Sequence, residues 1–167
     1  MKNHYILIIF VILIYTLTPF SVSALSGFIG LDLEGNMNTR EKAAMAGGLS
    51  FGFDWEQNFT LGFRATYSNN LNTVSCVQPT VFFRYYPFIK SSGFFMQGEL
   101  GAVLFFEYGD LFPAIQGGLA AGWRFNLGKT WYLEPSIRGG YPYIWGAGLT
   151  VGIRYDTIRE GNKGEIK

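Results

Sequence analysis

From Trp131 to Asp156 the chain alternates between bulky and small residues. Trp131, Leu133, Pro135, Ile137, Gly139 and Tyr141 fall on one face, and Tyr132, Glu134, Ser136, Arg138 and Gly140 on the other. After a turn at Pro142 the split returns: Trp145, Ala147, Leu149, Val151, Ile153 and Tyr155 oppose Gly146, Gly148, Thr150, Gly152, Arg154 and Asp156. A period of two marks a strand, whose successive side chains point to opposite sides. The stretch predicts a hairpin with one apolar face and one small, polar, charged face.

The same alternation runs upstream. It predicts strands over 25–35, 44–55, 59–67, 73–86, 93–107 and 115–127, with a polar loop at 36–42 and turns at 56–58, 69–70, 109–113 and 126–129. Strand one sets Leu25, Ile29, Leu31 and Leu33 against Ser26, Phe28, Asp32 and Glu34. Strand four contains Pro79, a blemish because proline withholds a ladder donor. With the final hairpin this makes eight antiparallel strands of about ten residues each, an all-β barrel signature. No segment past the N-terminus carries a helical period, and no linker or second domain is apparent.

Alternation alone leaves two orientations open. A soluble barrel buries the apolar face; a membrane barrel turns it outward. Volume favours the second, because an eight-stranded barrel has an interior only just wide enough for side chains to fill. The apolar face is bulky in nearly every row, whereas Gly, Ala, Ser and Thr crowd the polar face. Charge placement agrees. Arg64, Arg84, Arg124, Arg138 and Arg154 fall on the small-residue face, as do Asp32, Glu34, Glu99, Glu107 and Glu134. The lysines sit in the N-terminal segment, loops or tail, whereas a soluble sheet scatters them over its exposed positions. Five arginines against five acids in a narrow lumen predict a paired structural network, since an unpaired buried charge is very costly. Arg84, Glu99, Arg124, Glu134 and Arg154 are expected towards the same end of it. Two aromatic bands support a membrane setting, where amphipathic rings favour the headgroup level. Trp55, Phe59, Tyr85, Phe94, Trp123, Phe125, Trp131 and Tyr155 form one, and Tyr67, Phe106, Tyr108, Phe112, Tyr141, Tyr143 and Trp145 the other.

Residues 1–24 read as a cleavable secretory signal peptide: Lys2, an apolar core from Tyr5 to Leu17, a break at Pro19, and small residues at Val22-Ser23-Ala24. The barrel then spans 25–156, and 157–167 is a polar C-terminal tail. A net charge of +1 gives no electrostatic case for nucleic acid. Cys76 is the only cysteine, so no internal disulfide can form.

At this point the chain resembles the small outer-membrane barrels grouped with the OmpA transmembrane domain, OmpX and OmpW. Phe83 to Ala102, with its Arg-Tyr-Tyr strand end, short turn and Gly-aromatic restart, resembles their periplasmic hairpins. The run Gly148-Leu149-Thr150-Val151-Gly152-Ile153 is similar to the insertion signal read by the barrel-assembly machinery. The resemblance implies a bacterial outer-membrane location, outer-membrane lipid as surroundings and the assembly machinery as a transient partner. Two departures stand out: the chain continues for eleven residues past Asp156 instead of ending on an aromatic, and no peptidoglycan-binding domain follows the barrel.

Enzymes among such barrels, lipid A deacylases and palmitoyltransferases, imply a His-based serine site. Here the only histidine is His4, inside the segment expected to be removed, so neither a Ser-His-acid arrangement nor the commonest metal ligand is at hand. Glu99 and Glu134 could serve as an acid–base pair, but beside arginines they read as ion-pair partners. No phosphate loop or dinucleotide fingerprint occurs. The expectation is a non-enzymatic barrel without cofactor or metal, with a charge-plugged lumen and a structural or surface-interacting role, its extracellular partner unspecified. A narrow channel for small solutes and a periplasmic lipocalin-like binding barrel with reversed faces are the alternatives.

Overall fold

In a computed structural model of the chain, the described residues are 26–37, 43–55, 58–70, 74–89, 91–107 and 110–156. The expected signal segment, Leu25, Tyr108 and the tail lie outside them. Eight strands are present: β1 (Ser26–Met37), β2 (Ala43–Asp54), β3 (Phe59–Asn69), β4 (Val74–Tyr85), β5 (Gly93–Glu107), β6 (Asp110–Leu127), β7 (Trp131–Tyr141) and β8 (Trp145–Asp156). Each pairs antiparallel with its sequence neighbour, and β8 returns to pair with β1, closing the barrel. Closure removes the open edges that a flat sheet would leave unpaired. We call the end where β1 starts and β8 finishes the terminal end, and the opposite one the loop end.

The register sets the bore. Starting at Gly27, cross-strand partners run through Phe53, Leu61, Phe83, Gly98 and Leu119 to Gly139. One residue back, Arg138 pairs with Gly146, which pairs with Asn36. The circuit therefore returns to β1 about ten residues from where it began, a stagger that tilts the strands by roughly 40° and leaves a narrow, side-chain-filled interior. An eleven-residue strand such as β7 then rises about 28 Å along the axis.

The strands follow the predicted spans with one substantive difference. Residues 110–113, expected to lie in a turn, extend β6, which pairs with β5 up to Glu107↔Asp110. A proline is tolerated there because β6 pairs with β7 only from Gly117 onward, leaving Pro113 on an unpaired edge. Two prolines inside the wall leave gaps instead. The β4–β5 ladder skips Gln78 and Pro79, and the β6–β7 ladder skips the positions opposite Glu134 and Pro135. Between β6 and β7, Gly128 adopts φ +78°, a left-handed turn position that suits glycine.

The faces are oriented with the apolar side out. Phe63 is 44% exposed, Leu119 73% and Val151 40%, whereas Arg64 and Arg124 are buried in the bore. This is the reverse of a soluble lipocalin-like arrangement. Trp55, Trp123, Phe125 and Trp131 are exposed near the terminal end, and Tyr67, Phe106, Phe112, Tyr141 and Trp145 near the loop end. Tyr143, expected in the loop-end band, instead turns its hydroxyl into the lumen, 2.6 Å from Ser68 Oγ.

Small residues do not fill the interior alone. Phe28, Phe82, Phe95 and Tyr132 are fully buried in it. Each stands directly across the ladder from a glycine: Phe28↔Gly52, Phe82↔Gly62, Phe95↔Gly122 and Tyr132↔Gly152. The rings lie over those glycines, in the space a Cβ would take. Large and small residues thus alternate around the bore rather than along one strand, which lets a narrow barrel reach native packing density. Gly62→Ala is expected to destabilise the barrel by about 1–3 kcal/mol through overpacking against Phe82. Gly35→Ala, where nothing lies within 4 Å of the new Cβ, should leave stability unchanged. Urea midpoints of the detergent-refolded proteins check the pair.

Candidate functional site

The inward-facing charges form two networks. The first lies in the loop-end half. Arg64, from the middle of β3, reaches Asp32 through Nε (3.2 Å), Glu99 through Nη1 (3.2 Å) and Glu34 through Nη2. Arg138, near the loop end of β7, spans Glu34 (3.1 Å) and Glu99 (2.7 Å). Asp32 also accepts hydrogen bonds from Ser50 Oγ (3.4 Å) and Thr150 Oγ1. Two guanidinium groups are thus held by three carboxylates from β1 and β5.

The second network lies in the terminal half. Glu134 Oε1 accepts from Arg84 Nη1 (2.7 Å) and from Arg124 Nε. Both guanidinium groups are enclosed by rings. Arg84 lies 4.0 Å from the Phe95 centroid and 5.2 Å from that of Phe28, and Arg124 lies 4.1 Å from Phe28 and 4.2 Å from Tyr132. Desolvated cations over aromatic faces gain about 2 kcal/mol each. The rings therefore support charge that a single carboxylate does not neutralise. Here two cations face one anion.

Gln97 joins the networks. Its Oε1 accepts from Arg84 Nε at 2.7 Å, and its Nε2 donates to Glu99 Oε1 at 2.6 Å. The loop-end network carries one excess negative charge and the terminal network one excess positive charge, so the amide links two complementary halves. The gap between them is a cavity of about 20 Å³ lined by groups such as Asp32, Arg64, Arg84 and Glu134, room for about one water molecule.

Both ends of the bore are crossed. At the terminal end Asp54 accepts from Ser26 (3.2 Å), Thr60 (2.7 Å) and Ser91 (2.8 Å), so the β4–β5 connection is drawn over the mouth above buried Tyr86. At the loop end, Tyr143 reaches from the β7–β8 connection to Ser68 on β3, and Gln78 Nε2 donates to both Ser68 Oγ and Cys76 Sγ at 3.2 Å. Burial pushes the Tyr143 hydroxyl up to about 12, so it stays protonated and able to donate. Among the described residues no group of His, Cys, Asp and Glu is placed to hold a metal ion.

Of the ten charged residues singled out from the sequence, Asp32, Glu34, Arg64, Arg84, Glu99, Arg124, Glu134 and Arg138 meet in these networks. Two do not. Glu107 is exposed at the loop-end tip of β5, where the β5–β6 hairpin rises past β7. Arg154 is half-buried beside Phe28 on β1, at the terminal mouth, and meets no carboxylate among the described residues. Glu99, expected with Arg84, Arg124, Glu134 and Arg154, belongs to the loop-end network. Strand tilt explains the shift, because a residue's height depends on its strand's place in the stagger as well as on its distance from a turn. The aromatic cage and the Gln97 link were missed. The sequence signal for the cage, a large ring on the small-residue face, was visible at Phe28, Phe82, Tyr86 and Tyr132.

No family model and no curated protein matches the chain. Solved structures do match. Neisserial surface protein A aligns over 79% of this chain and 97% of its own, at 12% identity and a TM-score of 0.56. The N-terminal β-barrel domain of Pseudomonas aeruginosa OprF aligns over 77% of this chain and 99% of its own, at 13% identity and a TM-score of 0.50. The fold is that of the small eight-stranded outer-membrane barrels. At such identities the likeness concerns the barrel fold alone.

Removing the shared anion of the terminal network should be far worse than removing the whole network. Glu134→Gln is expected to cost about 3–5 kcal/mol, because two desolvated guanidinium groups lose their counter-charge. The triple replacement Arg84→Met, Arg124→Met and Glu134→Leu should cost much less. Arg154→Ala should stay within about 0.5 kcal/mol of the parent. Urea unfolding of the refolded barrels reads all three.

Proposed function

We propose that this chain is a non-enzymatic integral protein of a bacterial outer membrane, exported behind its 1–24 segment and inserted by the barrel-assembly machinery. Its bore is plugged, and its role is structural or surface-interacting rather than transport. The observation that carries this reading is the closed lumen. Among the described residues, two ion-pair networks, an aromatic cage and a crossing at each mouth fill the bore around a gap of about 20 Å³, too small for a hydrated ion or solute to pass. The apolar wall supports the location: strands that rise about 28 Å along the axis are long enough to cross the roughly 25 Å apolar band of such barrels. In an even-stranded barrel of this kind the terminal end faces the periplasm and the loop end the exterior. The non-enzymatic reading draws support from the carboxylates. Glu99 and Glu134 lie in different networks and are each committed to arginines, so neither is poised to exchange a proton with a substrate.

The refolded protein should run at different positions on SDS gels before and after boiling, and should give no conductance steps in planar bilayers. Discrete steps would move the reading to a narrow channel, and solubility without detergent would remove the membrane setting. Acyl release from or transfer between lipids, abolished by Glu99→Gln or Glu134→Gln, would establish an enzyme instead.

A further inference from the structure

The wall of the barrel is not level at its loop end. β5 and β6 pair without interruption to Glu107↔Asp110, whereas β6 pairs with β7 only as far as Gly117↔Tyr141. The β6 residues from Asp110 to Gln116 therefore continue past the β7 wall. On strands tilted by roughly 40°, Asp110 stands about 18 Å above the last β6–β7 pair and Phe112 about 13 Å above it. Tyr141, in that last pair, belongs to the loop-end aromatic band, so the hairpin tip lies beyond the interface, in the aqueous phase. Its base is braced by Phe105, whose ring meets that of Tyr141 edge-on at 6.5 Å.

The ladder carries its two faces into the projecting part without a bulge. The side that faces the bore at buried Val103 and Gln116 faces across the mouth higher up. On that side Phe105 pairs with Phe112, and Glu107 with Asp110 is the next pair. Phe112 is 53% exposed, and both acids are exposed. An apolar surface standing in water marks an interaction site. The acids sharpen this, because side chains directly across a ladder lie about 5 Å apart and like charges there repel. Among the described residues neither carboxylate meets a cation or a hydrogen-bond donor. The only basic side chains on β4, β5 and β6 are Arg84 and Arg124, which are committed to Glu134 in the terminal half.

We propose that the mouth-side face of the β5–β6 hairpin docks a basic, aromatic-bearing peptide segment of an extracellular protein. The inference rests on the surface-interacting reading above, in which the loop end faces the exterior. Charge selects the occupant. A polyanion would meet two carboxylates of its own sign, and a second copy would bring the same acids face to face. Lipid tails end below the patch. Arginine suits it, since a guanidinium both pairs with carboxylates and stacks on an aromatic face such as that of Phe112. Recognition is by side chains on the sheet face. Strand addition along the free edge of β6 is blocked where Pro113 withholds its N–H.

The test uses the full mature chain refolded in zwitterionic detergent. The probe is a fluorophore-labelled synthetic peptide of repeated Arg-Trp-Gly triplets, followed by anisotropy. A peptide with Glu in place of Arg, and labelled heparin, are the comparisons. The Arg-Trp-Gly peptide should bind saturably at about 0.01 M salt and more weakly at about 0.15 M, and neither comparison should bind. Glu107→Gln combined with Asp110→Asn should weaken binding about fivefold at the lower salt, and Phe112→Ala about threefold. Parent and variants share the same micelles, so adsorption of peptide to detergent cancels. Glu107→Gln alone serves if the double variant does not refold. A retained SDS heat shift with equal peptide affinity in parent and charge variant would overturn the docking proposal and leave the outer-membrane reading standing. Heparin binding as tight as the peptide's would overturn it too. Absence of the heat shift in the parent would remove that reading and the proposal with it.

Discussion

Four arginines and four carboxylates share a bore too narrow for bulk water, and the rest of the barrel is arranged around keeping them paired. Charges taken out of water are tolerated only when partners and hydrogen bonds surround them. Here no carboxylate in the networks serves a single donor: Glu34 and Glu99 each meet two guanidinium groups, Glu134 bridges two, and Asp32 adds hydroxyl donors. Four strands supply the arginines and three the acids, so the pairs tie together strands far apart in the chain. Arg138 and Glu34 are 104 residues apart. Such pairs fix the register as firmly as the ladders do, because a one-residue slip would carry the charges to the lipid side.

The charge imbalance between the two halves gives the interior a direction. The terminal half holds an excess cation among aromatic rings, and the loop-end half an excess anion among amides and hydroxyls. Rings suit the first because their faces attract cations without needing lone pairs. Amides suit the second because they donate to carboxylates. Gln97 is where the two regimes meet, neutral itself and hydrogen-bonded to one charge of each sign. A bore organised this way is a packed core with polar contents, and its stiffness is that of a core rather than of a pore.

Much of this was legible in the alternation. Eight strands, the outward apolar face and the inward placement of arginines and acids follow from period-two patterning and from the volume an eight-stranded barrel can hold. Residues 110–113 misled because Gly-Asp-Leu-Phe-Pro reads as a turn. Proline can join a strand when its edge is unpaired, and only the stagger of β6 against β7 shows that it is. Tyr143 misled for a related reason, since an aromatic near a strand end belongs to a membrane band unless its connection bends inward.

What the sequence determines by itself is which residues share a face, because that depends on neighbours two positions apart on one strand. Which residues share a height was decided by the tertiary structure. Height depends on the cumulative stagger around all eight strands, and that stagger sends Glu99 to Arg64 instead of Arg124. It leaves Arg154 at the mouth and sets Phe82 over Gly62. Local alternation carries no information about that sum, which exists only once β8 has closed on β1.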